Sequence, residues 1–192
     1  MALFNESFLR ERYKKEQRTK YFSATEAINE SVRQLNSGKQ FDIFLSHCSN
    51  DFEIVFGLKY TLEDLNYSVY VDWDDAKLKP QNITPQTAEI LKSRMAQCKC
   101  LIYAFSESAT HSKWMPWELG YFDGLKGKVA VLPISLNTKY VYAGSEYVGL
   151  YYHVQFAKTA KSNEDAIWIY DGDNYVRFDA WLNKNQMPFK HE

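Results

Sequence analysis

At 192 residues the chain is long enough for one α/β domain with a real core plus some extra structure, and short for two independent domains. Its 23 basic and 24 acidic residues leave a formal net charge of −1, which argues against a general nucleic-acid or membrane-surface binder, since either needs a basic field. The N-terminus is polar and charged and no apolar run reaches membrane-spanning length, so a soluble, cytoplasmic protein is expected. The three cysteines Cys48, Cys98 and Cys100 lack zinc-like spacing, and the run from Cys100 to Phe105 reads as a buried strand. Reduced, structurally buried thiols are therefore expected. Aromatic residues make up 16% of the chain, enough for some rings to serve a ligand or a partner.

The first segment, residues 1–39, stands apart as a helical extension of the main domain, residues 40–192. Leu3, Phe4, Phe8, Leu9 and Tyr13 recur at helical spacing among many charges. A second helix is expected to open at the capping-box pattern Ser23-Ala-Thr-Glu26 and to stop at Gly38. This basic arm is either a solvated helical pair packed on the main domain or a docking arm for a partner or for self-assembly.

From residue 41 strands and helices alternate. Phe41 to Ser46 reads as a buried strand, Asp51 to Leu65 as a helix, and Ser68 to Asp72 as a second strand. The polar loop 73–83 closes at Thr84-Pro85, an N-cap followed by proline in the first helical position, with a helix to about Gln97. Cys100 to Phe105 is a third strand, Pro116 to Lys126 a helix ended by Gly127, and Val129 to Ile134 a fourth strand. Tyr151 to Phe156 is a fifth. Ile167 to Tyr170 and Tyr175 to Phe178 flank Asp171-Gly172-Asp173 as a hairpin leading into a last helix through Trp181 and Leu182.

Such alternation implies a parallel sheet covered on both faces, with ligands bound beyond the carboxyl ends of its strands. Trp114-Met-Pro-Trp117-Glu118 lies at that edge, after the loop 106–113. A carboxylate beside flat aromatic surface suits cleavage of an N-glycosidic bond, where the acid steadies a cationic ribosyl centre and a ring stacks on the base. The competing reading of Glu118 is a first-turn glutamate facing the helix dipole, worth up to about 1 kcal/mol. Leu119, Phe122 and Leu125 form the expected sheet-facing stripe, leaving Glu118 on a flank. Trp114 and Trp117 serve equally as core anchors. Ser46-His47 ends the first strand, and His47 is either a satisfied strand-end residue or a contact to ribose or phosphate. Asp72, Asp74 and Asp75 crowd the second strand's exit. Phosphoryl-transfer receivers that bind Mg²⁺ also need an aspartate after the third strand, where this chain has Phe105-Ser106, so no metal is expected. No Gly-rich phosphate loop and no hydrolase signature appear.

Phe41-Asp-Ile-Phe-Leu-Ser-His47, Val69-Tyr-Val-Asp-Trp73, Leu101-Ile-Tyr-Ala-Phe-Ser106 and Ser112-Lys-Trp-Met-Pro-Trp-Glu-Leu-Gly120 together resemble a bacterial Toll/interleukin-1 receptor (TIR) domain. The resemblance covers residues 41–135 and, more loosely, the rest of the main domain. It implies a flavodoxin-like three-layer fold with a central parallel five-stranded sheet. It also implies an enzyme that cleaves the nicotinamide–ribose bond of NAD⁺, with NAD⁺ as substrate and no separate cofactor. Glu118 matches the family's catalytic glutamate. Ser46, His47, Asp72, Trp73 and Trp114 fall at substrate-contacting positions, and the loop 73–83 matches a mobile segment that helps close the site and touches neighbouring subunits. His47 replaces a tyrosine found in some members. Bacterial members often serve anti-phage defence, as in Thoeris systems, by making a nucleotide signal for a separate effector, and this small stand-alone chain resembles those TIR subunits. A non-catalytic TIR module and a nucleoside deoxyribosyltransferase relative are the alternatives.

Overall fold

In the computed structural model, residues 4–19, 38, 40–72, 84–134, 146–160 and 162–190 are described. The expected helix opening at Ser23 and the loop 73–83, Trp73 included, lie outside them. The elements run α1 (Glu6–Thr19), β1 (Phe41–Ser46), α2 (Phe52–Asp64), β2 (Val69–Tyr70), α3 (Pro85–Ala96), β3 (Cys98–Phe105), α4 (Met115–Lys126), β4 (Val129–Pro133), β5 (Tyr152–Lys158), β6 (Asp165–Asp171), β7 (Asn174–Arg177) and α5 (Phe178–Lys184). Short 3-10 turns occupy Ser108–His111 and Glu146–Leu150.

The strands form one sheet in the order β2-β1-β3-β4-β5-β6-β7. The first five are parallel, as expected, and the hairpin β6–β7 continues the sheet antiparallel from β5. Its turn is Gly172-Asp173, between the paired residues Asp171 and Asn174, and Gly172 sits at φ +57°, where a side chain would be strained. The strand β2 is shorter than the Ser68 to Asp72 run suggests. As an edge strand it pairs only with β1, and Ser68 before it is tied to β1 by backbone and side chain: its carbonyl accepts from the Asp42 and Ile43 N–H groups at 3.1 and 3.0 Å, its Oγ accepts from the Asp42 backbone at 2.9 Å, and its own N–H donates to Asp42 Oδ2 at 2.9 Å.

Side chains alternate across the sheet and feed two cores. One face carries Ile43, Leu45, Ile102, Leu132, Val154 and Ile169 against α2, α5 and α1. The other carries Phe44, Tyr70, Leu101, Tyr103 and Val131 against α3 and α4. The helix α1 belongs to the first layer. Leu9 is fully buried, and its backbone approaches α2 so closely that a Cβ added at Gly57 would stand 2.0 Å from the Leu9 carbonyl oxygen. Arg10–Glu53 at 3.0 Å and Arg12–Asp64 at 2.7 Å rim this contact, and Phe4 meets Phe156 at 5.4 Å between ring centroids. For α1, the packed reading of the arm is the observed one.

Beyond β7 the chain returns along the sheet edge, where Tyr175 and Phe189 exchange backbone hydrogen bonds at 3.1 and 3.4 Å. The three cysteines are buried and unpaired as disulfides, and burial pushes the Cys98 and Cys100 thiols up. Among the described residues no helix is long and apolar enough to cross a membrane.

Candidate active site

The register Ser46↔Tyr103 sets the end of β1 beside β3, and the helix α4 lies across them. Its start is fixed locally. Pro116 occupies the first turn, where its missing N–H is not needed, and Ser112 Oγ accepts from the Met115 backbone at 3.3 Å. Its end is fixed by Gly127 in the left-handed region at φ +61°, whose N–H donates to Asp123 at 2.8 Å.

Between these ends the helix phase differs from the expected stripe. Met115, Glu118, Leu119 and Phe122 are the buried residues, while Leu125 is 44% exposed. Positions 115, 118, 119 and 122 follow the i, i+3, i+4, i+7 pattern, and Leu125, seven residues after Glu118 and on the same side of the helix, is exposed in the last turn. Lys126 takes the inward direction at the last turn and donates from Nζ to the carbonyls of Ala96 and Cys98. Glu118 is therefore part of the buried stripe and not on its flank.

Glu118 is 3% exposed, and Ser46 Oγ donates to its Oε2 at 2.5 Å. Burial, followed by the negative charge of Asp72, pushes the Glu118 carboxyl up to about 8, against the opposing pull of the Ser46 hydrogen bond. A surface glutamate answering a helix dipole has none of these features. His47 bridges the neighbourhood: Nδ1 lies 2.8 Å from the Leu45 carbonyl, so it carries a proton, and Nε2 lies 3.3 Å from Asp72 Oδ1. Asp72 is the partly exposed member, so the cluster meets solvent there.

Of the candidates read from sequence, Ser46, His47, Asp72 and Glu118 thus come together. Trp114 stands just before α4, edge-on to Trp117 (5.3 Å, 78°), and Trp117 stacks on Tyr121 (5.6 Å, 14°) under the Lys92 ammonium. Both indoles pack partly into the core, so anchoring is at least part of their work. Among the described residues no group of histidine, cysteine, aspartate or glutamate side chains could hold a metal.

Two polar pairs were not read from sequence. Ser106 Oγ donates to Asp51 Oδ2 at 2.5 Å and accepts from the Ala109 backbone, locking the loop after β1 to the loop after β3. Tyr103 and Tyr147 bring their hydroxyls together. The only sequence signal for either is a polar atom within or at the end of a strand otherwise apolar on that face.

Comparison with known proteins bears on what this cluster is. The TIR domain family model matches residues 43–167. The chain belongs to the TIR family. The matched span holds Ser46, His47, Asp72 and Glu118, whereas α1, β7 and α5 lie outside it. The TIR domain and its flanks are 44% identical over 194 residues to ThsB′ of Bacillus cereus (strain MSX-D12), named as a probable 3′ cyclic ADP-D-ribose synthase, covering 96% of this chain and all of that protein. A candidate cyclic ADP-D-ribose synthase, TIR2 of Cytobacillus dafuensis, is 29% identical over 85 residues, which cover 43% of this chain and 22% of that protein.

Proposed function

We propose that this TIR domain is an enzyme that breaks the nicotinamide–ribose bond of NAD⁺ and makes a cyclic ADP-ribose isomer, or a related ADP-ribose-derived signal, for a separate effector in anti-phage defence. The observation that carries the reading is the Glu118 carboxyl, buried at the open edge of the sheet, held by Ser46 and opposed by Asp72. The near full-length likeness to ThsB′ supports the same chemistry.

The nicotinamide nitrogen of NAD⁺ is already cationic. As the C1′–N bond breaks, its electron pair neutralises the ring, so no acid is needed to protonate the leaving group. What remains is an oxocarbenium-like ribosyl centre that gains from a nearby anion. Free Glu118 holds its proton near neutral pH. A cationic ring docking beside it favours the ionised form and expels that proton, so the charge appears where the positive centre develops. In this reading Asp72, the partly exposed carboxylate, takes ribose hydroxyls, the buried His47 steadies Asp72, and Trp114 offers a flat surface. Water would release ADP-ribose, whereas a hydroxyl of the adenosine half would close a ring. NAD⁺ is consumed as a substrate, without a further cofactor, and TIR–TIR contacts assemble the working form in the cytoplasm.

A non-catalytic scaffold makes no use of a carboxyl stripped of solvent, which disfavours its own ionisation in the fold. The test is mass spectrometry of products formed from NAD⁺ by wild type and Glu118→Gln. Release of nicotinamide by wild type and its loss in the variant are expected. Equal turnover by both, or none by wild type under every assembly condition, would remove the enzymatic reading.

A further inference from the structure

Resting on the NAD⁺-cleaving reading, we propose that Tyr147 is a further substrate-contacting residue of the Glu118 site and that Tyr103 is the positioning residue that holds its hydroxyl in place. Tyr103 lies on β3 between Ser46 of β1 and Val131 of β4, so it shares the sheet floor with the serine that binds Glu118. Its side chain is fully buried and stacks on Phe105. A phenol in that position needs a partner for its hydroxyl, and phenylalanine would fill the space without that demand. The partner is the Tyr147 hydroxyl at 3.5 Å.

Tyr147 differs from Tyr103 in being 37% exposed. It sits on the 3-10 turn Glu146–Leu150, and that turn is fastened to the layer that carries the catalytic candidate. Val148 is fully buried in the α4-facing core, and Tyr151 Oη donates to Asp123 Oδ2 on α4 at 3.2 Å. One end of the hydroxyl pair is therefore in the core and the other is open to a ligand. Burial, the Tyr147 hydrogen bond and the nearby Glu118 charge all push the Tyr103 hydroxyl up, so it keeps its proton and remains a hydrogen-bonding phenol. The link to Glu118 runs through Ser46, which is the register partner of Tyr103 and donates to the Glu118 carboxyl. With Tyr103 donating to Tyr147, the Tyr147 O–H is free to turn toward an acceptor on a bound substrate, the ribose oxygens beside the breaking bond being the chemistry that Glu118 serves. The 3.5 Å separation is long for two hydroxyls and is of the kind that tightens when substrate binds.

Three variants test this: Tyr147→Phe, Tyr103→Phe and the double change. Each is measured for NAD⁺ turnover in the wild-type sequence and for NAD⁺ binding by equilibrium titration in the Glu118→Gln background. Tyr147→Phe is expected to weaken binding about tenfold, as for one lost hydrogen bond, with the loss falling on KM more than on kcat. Tyr103→Phe should give a smaller loss of the same kind, and the double variant should be no worse than Tyr147→Phe alone, since the buried hydroxyl acts through the exposed one. Binding within twofold of the parent for Tyr147→Phe, or losses that add in the double variant, would overturn the proposal. The titration separates the two readings: wild type without turnover but with a tenfold loss on Tyr147→Phe would remove the activity and leave the contact standing.

Discussion

The two faces of the sheet are built to different rules. Toward α1, α2 and α5 the strands present mainly aliphatic side chains, and the backbones of α1 and α2 close on each other at Gly57 and Leu9. Under α3 and α4 the same strands bury Ser46, Tyr70, Tyr103 and, from the helix, Glu118. The first face gains its free energy from area removed from water. The second gives some of that up to hold a carboxyl and two phenols out of solvent, which is where a fold is expected to depart from its own stability optimum. Changes on the first face should therefore cost stability and leave chemistry alone, and changes to the polar groups of the second should cost chemistry without costing stability.

The largest effect that sharpens this contrast is Glu118→Gln. Turnover should fall by about a hundredfold or more, as for loss of a preorganised charge at the reacting centre, read by nicotinamide release. The same variant should be the more stable protein in alkali. The folded-state carboxyl is raised to about 8 from an ordinary 4.5, so the folded state binds the proton more tightly than the unfolded chain does. The stabilisation from that proton is complete below the ordinary value and is lost as pH rises through about 8. Thermal melts at pH 5 and pH 9 should show the variant's advantage over wild type widening with pH. An unchanged gap would mean that the carboxyl is not buried as described.

Next in size is the pH dependence of turnover. If the ionised carboxyl is the working form, kcat/KM in the free enzyme should climb about tenfold between pH 7 and pH 9. Asp72→Asn removes the opposing negative charge, so the inflection should move to lower pH. A profile flat across that range would separate Glu118 ionisation from the chemistry. On the other face, Gly57→Ala forces a methyl toward the Leu9 carbonyl and should destabilise the fold by about 1–3 kcal/mol in urea titrations, with turnover per folded molecule unaltered. The smallest effect is Asp64→Ala. It removes a rim ion pair with Arg12 that is exposed on the Asp64 side and should lower stability by no more than about 1 kcal/mol.

The fold was largely legible because a parallel strand buried on both faces writes itself as a continuous apolar run, as in Phe41 to Ser46. Local chemistry was legible too: Thr84 caps α3 by accepting from the Thr87 backbone at 3.2 Å, as the Thr-Pro pair implies. The cluster of Ser46, His47, Asp72 and Glu118 could be anticipated from the TIR resemblance, since each lies at or beyond the carboxyl end of a strand, Glu118 in the first turn of the helix that follows β3. Helix phase was harder. Leu125 looks like a core residue by composition, yet it is exposed in the last turn, while Glu118, on the same side of the helix one heptad earlier, is buried. Pairs such as Asp51–Ser106 and Tyr103–Tyr147 join residues 55 and 44 positions apart, and no local pattern announces them.

The return of the C-terminal tail along β7 has a bearing on how copies of this chain can meet. An unpaired outer strand is a template for another chain, but here Phe189 already takes the backbone groups of Tyr175, and among the described residues the opposite margin offers only the two residues of β2. Lateral growth of the sheet from protomer to protomer is thereby disfavoured at both margins. Contacts between copies, if the proposed assembly forms, would then draw on helices, loops and side chains, which can be made and released without adding strands to a neighbour's sheet.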